Sequence, residues 1–235
     1  MNYTLGVLTC QIKPIIMNKL TTLIPFLGMS ILVSCGPQER VSKDVFDDVN
    51  KNMEIKRISE VDILDKAMEW GDSITLEAQA QLIQNLQEAI SNQGVSGAID
   101  FCSVNALAIL EKESEIHNVK IRRVSNRYRN PSDQPQDSEI QILEAYEYNA
   151  ENGIESEPNI QKLENGEVLL YTKPIIISSS LCLNCHGKPG LEIDETTLKA
   201  IDSKYPNDRA KDHNLKDLRG MWSVMIPKKE VVKKM

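Results

Sequence analysis

Residues 168–186, VLLYTKPIIISSSLCLNCH, place a β-rich run directly before a cysteine motif. The run reads as strand in two pieces, Val168-Leu169-Leu170-Tyr171 and Ile175-Ile176-Ile177, around Pro174, with Asn165-Gly166 as the turn signal ahead of them. Cys182-Leu183-Asn184-Cys185-His186 follows, so the motif is expected in a loop leaving a sheet. Two cysteines spaced C-x-x-C with an adjoining histidine form the attachment signature of a c-type haem. The thiols add across the two vinyl groups of one porphyrin, and the imidazole then lies where it can ligate the iron. A zinc ribbon also uses C-x-x-C, but it wants a second cysteine pair, and Cys10, Cys35 and Cys102 are isolated. A redox dithiol has no need of the following histidine.

Working outward, Leu198 to Lys204 reads as a short helix, and Arg219-Gly220 leads into a last strand, Met221 to Ile226, closed by Pro227. Upstream, Ser138 to Ala150 reads as a helix with Ile140, Leu143 and Tyr146 inward, and Val119 to Ser125 as a strand. The chain before that is helical. Val61, Leu64, Ala67 and Met68 give a first stripe, and Gly71-Asp72-Ser73 reads as a break. Ser73 or Thr75 then caps a helix carrying Leu76, Ala80, Ile83 and Ile90, which ends near Gly94. Another helix runs from Val95 to Glu111. Helices first, then strands with helical interruptions, predict an α+β fold with an antiparallel sheet. A class I cytochrome c differs, being all-helical with its haem motif near the N-terminus.

The 235 residues carry a net charge of -7, which argues against nucleic acid as a partner. Aromatic residues make up 5%, so a mostly aliphatic core is expected. Leu20 to Val33 is an apolar stretch preceded by Lys19 and followed by Leu32-Val33-Ser34-Cys35, which looks like a lipobox. The run is shorter than the roughly 20 residues needed to span a bilayer. The expectation is therefore a signal peptide over residues 1–34, with its true start at Met17, and a diacylglycerol thioether on Cys35 that anchors the protein on the periplasmic side of a bacterial envelope. Gly36 after Cys35 favours the outer membrane. Residues 35–72 then form a lipidated tether and first helix, and 73–235 the haem domain.

Cys102 is the thiol left over. With Ala98, Ile99, Ala106 and Leu110 it shares one helix face, which suits a small buried core residue; the sharper reading makes it the second axial ligand of the iron. Arg122, Arg123, Arg127 and Arg129 crowd eight residues of an acidic protein. They are either a solvated edge and loop or, in part, a cradle for haem propionates, since guanidinium matches carboxylate geometry. Met221 and Met225 are rival axial ligands, though their equal parity turns both to one strand face. His117 reads as a surface residue.

Several stretches together resemble one family, the periplasmic c-type haem proteins with a PAS-like fold, long catalogued as a domain of unknown function and also found as the sensor part of some histidine kinases. The matching residues are Ala98-Ile99 with Cys102, Arg122-Arg123-Val124-Ser125, Arg129-Asn130-Pro131, Glu139, Leu181 to Gly187, Tyr205-Pro206-Asn207-Asp208 and Arg219 to Val224. With one covalent haem c on Cys182 and Cys185, the resemblance implies iron held by His186 and Cys102; Arg123, Arg127 and Arg129 are candidates for the propionates by their guanidinium chemistry alone. Where glycines are expected before the last strand, this chain has Lys211-Asp212-His213 and Lys216-Asp217. Thiolate ligation implies a low potential, and six-coordinate iron leaves no open position for a substrate, so an enzyme is not expected. Two functions remain with such ligation: a redox or gas (NO/CO) sensor that signals to a separate protein, or an envelope-tethered electron carrier with a redox partner.

Overall fold

In the computed structural model, residues 42–52 and 58–235 are described. The signal peptide, the Met17 start, Cys10 and the lipobox with Cys35 lie outside the described residues. Helix α1 (Lys43–Asn52) belongs to a unit ending at Ile55, and Lys56–Met235 forms a second unit. Within α1, Val45, Phe46 and Val49 are exposed.

The second unit begins with α2 (Glu60–His117), whose 58 residues are helical except at Gly94. Ser59 starts the helix, its Oγ accepting from the Asp62 N–H at 3.1 Å, and left-handed Asn118 ends it. Gly94 has φ 73° and ψ 176°, a conformation essentially restricted to glycine, and it divides the helix into arms 60–93 and 95–117. The arms run side by side: Gln81 reaches Glu113 and Glu77 reaches His117, pairs that converge on the break from both directions. At 1.5 Å per residue, such pairing requires an antiparallel hairpin. The break expected near Gly94 is thus where the chain turns.

The break expected at Gly71-Asp72-Ser73 does not exist, and the reason is packing. A Cβ on Gly71 would lie 2.4 Å from the Tyr171 ring, so the glycine lets an unbroken helix sit down on the sheet. The Thr75 hydroxyl donates to the Gly71 carbonyl inside the helix rather than capping a new one. With the helix continuous, the buried stripe is Ile63, Ala67, Trp70, Ile74 and Ala78, while Val61, Leu76 and Ile83 face outward.

After α2 come β1 (Lys120–Val124), a 3₁₀ turn (Pro131–Asp133), α3 (Asp137–Glu151), β2 (Asn159–Leu163) and β3 (Val168–Ile176). Then follow α4 (Ser180–His186), α5 (Glu195–Lys204), β4 (Leu218–Pro227) and α6 (Lys228–Val232). The four strands form one antiparallel sheet in the order β1-β4-β3-β2, so the α+β class with an antiparallel sheet is what the chain adopts.

Strand alternation assigns the two sheet faces. Ile121, Leu169, Tyr171, Trp222, Val224 and Ile226 face the first arm of α2 and form the main core with it. Val124 and Met221 pack under α3 against Leu143 and Tyr146. Both tryptophans, Tyr146 and Tyr171 are buried among mostly aliphatic residues. On α3 the inward residues are Glu139, Leu143 and Tyr146, and Ile140 is exposed. Glu139 can be buried because its carboxylate accepts from Arg122 Nη1 (2.9 Å), Ser223 Oγ (2.6 Å) and the Gln136 N–H (2.8 Å).

Three other expectations change. The two strand pieces around Pro174 are one strand. β2 pairs with β3 only as far as Thr172, so at Pro174 the strand has β4 alone as a neighbour, an edge position of the kind that tolerates a residue without an N–H. The cysteine motif is not a loop but the short helix α4, within the connection from β3 to β4. β2, an unanticipated strand, lies at the sheet edge.

Candidate haem site

The connection between β3 and β4 is pinned at its base, where the Ile177 N–H donates to Asp217 and the Lys216 N–H donates back to Ile177 (both 2.9 Å). Inside it, helical spacing places Cys182 and Cys185 one turn apart on the same side of α4. His186 ends the helix, and residues 210–213 run alongside. The His213 N–H donates to the His186 carbonyl and the Asp212 N–H to the Gly187 carbonyl, each at 2.9 Å.

His186 Nδ1 lies 2.8 Å from the Ala210 carbonyl oxygen. A carbonyl can only accept, so Nδ1 carries the proton and Nε2 keeps its lone pair. Burial first, then the positive charges of Arg219 and Arg129, hold the imidazole well below its ordinary pKa. His186 is therefore a neutral ring with one oriented, unprotonated nitrogen. This is how a metal-ligating histidine is usually held. The only described donor beside that nitrogen is Arg219 Nε at 3.5 Å, which must withdraw before a metal can reach it.

Arg129 clamps the site from the loop after β1. Its Nη2 donates to the Cys185 carbonyl at 2.6 Å and to Asp208 Oδ2 at 3.1 Å, while its Nε donates to Asp208 Oδ1 at 3.2 Å. Arg127 donates to the Lys211 carbonyl and lies 3.2 Å from His213 Nδ1. Arg129 thus ties Asp208 to α4, and Arg127 holds the same segment further on, at Lys211 and His213. Arg122 and Arg123, adjacent on β1, point to opposite faces of the sheet. Arg122 goes to Glu139 beneath α3, whereas Arg123 turns to the α2 side, where its Nε is buried without a partner among the described residues.

Cys102 lies on the second arm of α2, one turn beyond Ile99, which packs against Ile193 and Ile201 beside Cys185 and Tyr205. Its thiol is half-buried and close enough for its charge to act on Cys185 and Tyr205. Burial raises the pKa of Cys102, with Arg123 and Arg129 opposing, and pushes Cys185 up to about 11. The structure so gathers Cys102, Cys185, Arg123 and Arg129 in one neighbourhood, with His186 sharing Arg129. Met221 is buried under α3, and alternation puts Met225 on that same face, away from α2.

In the sequence Arg219 stands out only within the family pattern, and His213 only within the departing Lys211-Asp212-His213 stretch. Arg219 is held by the Arg127 carbonyl (3.0 Å), and burial followed by Arg123 and Arg129 pushes it down to about 9. His213 is buried with its ring edge-on to His186, 6.2 Å between centroids, and burial followed by Arg127 and Arg219 pushes it down to about 4. The resemblance did quote Arg219 and Asp208, but no spacing rule gave either a role.

The sequence profile of the Tll0287-like family matches residues 43–227. The chain belongs to that family. Its fold is similar to that of the cyanobacterial heme-protein Tll0287 in its crystal structure, at 26% sequence identity and a TM-score of 0.50, over 68% of this chain and 94% of that one. No protein of curated function matches the chain. Membership of the Tll0287-like family agrees with the PAS-like haem-protein family read from the sequence.

Proposed function

We propose that this protein holds one covalent haem c, attached through Cys182 and Cys185 with His186 and Cys102 as axial ligands, and acts as a redox or gas (NO/CO) sensor on the periplasmic side of the envelope. The observation that carries the reading is the His186 ring, locked by its Nδ1–H bond to Ala210 with Nε2 unprotonated, within a family whose structural relative is a heme-protein. The residues present fit the group. C-x-x-C places both thiols on one side of α4, Cys102 lies near Cys185, and the unpartnered Arg123 Nε suits a propionate. Arg129 braces Cys185 beside His186, and Arg127 braces the neighbouring segment at Lys211.

Once bound, such a haem supplies a one-electron centre that thiolate ligation biases toward the ferric state. To ligate, Cys102 must lose its proton; burial opposes that loss, and Arg123 and Arg129 favour it. In the sensing reading Cys102 would hold the group in one redox or ligand state and not in the other, and its release would free the second arm of α2 to move and signal to a separate protein. In the alternative, an electron carrier, Cys102 stays in place in both oxidation states. Neither role includes catalysis. The Cys35 lipid anchor belongs to the same proposal.

The test is to produce the chain in a periplasm equipped for haem maturation and to record oxidised, reduced and CO-treated visible spectra, with Cys102→Ser alongside. A low-spin thiolate ferric spectrum that the variant loses supports the His186/Cys102 pair, and CO binding to the reduced protein supports sensing. An unchanged Cys102→Ser spectrum removes Cys102 as a ligand. Absence of covalent haem overturns the whole reading.

A further inference from the structure

At the open end of the α2 hairpin, far along the arms from Gly94, Glu77 and Gln81 of the first arm face Glu113 and His117 of the second. His117 is not the surface residue its sequence position suggested. Its ring meets Trp70 edge-on, and its Nε2 lies 3.5 Å from Glu113 Oε2 and 3.7 Å from Glu77 Oε2. All three potential ligand atoms fall within 4.8 Å of one another. The Glu113 side chain is 2% exposed, and Gln81 Nε2 fixes its Oε1 at 2.8 Å. Glu113 Oε2 and His117 Nε2 are buried and have no hydrogen-bond partner among the described residues.

A proton on His117 does not resolve this arrangement. One N–H can serve one carboxylate, and both separations exceed the 2.7–3.2 Å typical of N–H···O bonds. A buried carboxylate oxygen left without a donor is costly. A metal ion satisfies all three atoms together. With bonds of about 2.0–2.2 Å, tetrahedral ligands stand roughly 3.4 Å apart, close to the two distances observed. Imidazole with two carboxylates suits a first-row divalent ion, and Gln81 is placed to orient Glu113 as an outer partner.

We propose that Glu77, Glu113 and His117 form a binding site for a divalent transition-metal ion such as Zn2+, with water in the remaining position on the side where Glu77 is exposed. The ion clamps the end of the second arm to the first. This inference does not depend on the haem reading, because none of its residues belongs to that site.

The experiment is calorimetric titration of the chelator-treated full chain with Zn2+, with bound metal counted after dialysis. Glu77→Gln and His117→Gln are measured in parallel. Glu77 is half exposed, so its variant retains the fold, which circular dichroism checks. One zinc per chain is expected, with affinity lowered about tenfold or more in each variant. Zinc held by cysteine thiols would bind equally well in both variants. That result, or no zinc bound by the wild-type chain, overturns the site.

Discussion

Asp212 and Lys216 adopt left-handed backbone, with φ of 62° and 75°, in the segment where the family resemblance leads one to expect glycines. The conformation survives although the residue that takes it freely does not. An L-residue pays about 1–2 kcal/mol there, partly offset by the greater chain entropy that glycine loses on folding. Both side chains are exposed, so neither gains compensating contacts from burial. Lys216→Gly should therefore stabilise the fold by about 0.5–1 kcal/mol, read as a higher urea midpoint with unchanged slope; a lower midpoint would mean that the lysine side chain holds the loop. The residue types of the site were legible in the same limited way. C-x-x-C-H is a local pattern and could be read directly. The Ala210 carbonyl that sets the His186 tautomer is a backbone atom 24 positions away, and no side-chain pattern announces it.

At the scale of elements, the first arm of α2 is fastened to β3 by shape and by charge. Gly71→Ala would raise intrinsic helix propensity by about 1 kcal/mol. The added methyl would meet the Tyr171 ring, which is fully buried and tied through its hydroxyl to Asp72 Oδ1 at 2.9 Å. Overpacking costs of about 1–3 kcal/mol should outweigh the helix gain, so net destabilisation in chemical unfolding is expected; a stabilised variant would show that the ring yields. Beside it, the Lys173 ammonium, 2.6 Å from Asp72 Oδ1, leads in holding the Asp72 carboxyl below its ordinary range. A carboxyl lowered on folding adds stability above its unfolded pKa of about 3.9, and that stability disappears as pH falls through the folded value. Asp72→Asn should lower stability near neutrality by no more than about 1 kcal/mol, since the pair is partly exposed, with the difference fading as pH falls below the unfolded pKa and the carboxyl protonates. A difference that persists there would rule out the charge as its source. The same contact explains why the helix break was misread. Gly-Asp-Ser is turn vocabulary, and the demand for a close approach to Tyr171 comes from a strand 100 positions later.

Across the whole molecule, the candidate site is assembled from three distant segments: residue 102 on α2, residues 123–129 around the end of β1, and residues 182–219 between the central strands. The sheet makes them neighbours, because β1 pairs with β4 and Ser125 Oγ donates to the Arg219 carbonyl at 2.8 Å. Such long-range pairing has no local signal, so only the combined family pattern suggested it. The architecture also states what a sensor would move. The second arm of α2 buries few large apolar residues, chiefly Ile99 and Leu110, and leaves Val104 and Leu107 exposed. It is tied to α5 by the Ile99 packing and by Lys204 Nζ to Asp100 Oδ1 at 3.0 Å, whereas the first arm sits in the main core. A segment with sparse burial opens locally at lower free energy than the core beside it. Release of Cys102 should therefore loosen residues 95–117 selectively. Hydrogen exchange of the haem-loaded protein, oxidised against dithionite-reduced, is expected to show faster exchange over 95–117 and α5, with β3, β4 and 60–93 unchanged. Zinc bound between Glu77, Glu113 and His117 should confine the loosening to the Cys102 end of the arm. Identical exchange in the two oxidation states would instead favour the electron carrier, in which the arm keeps its ligand and its place.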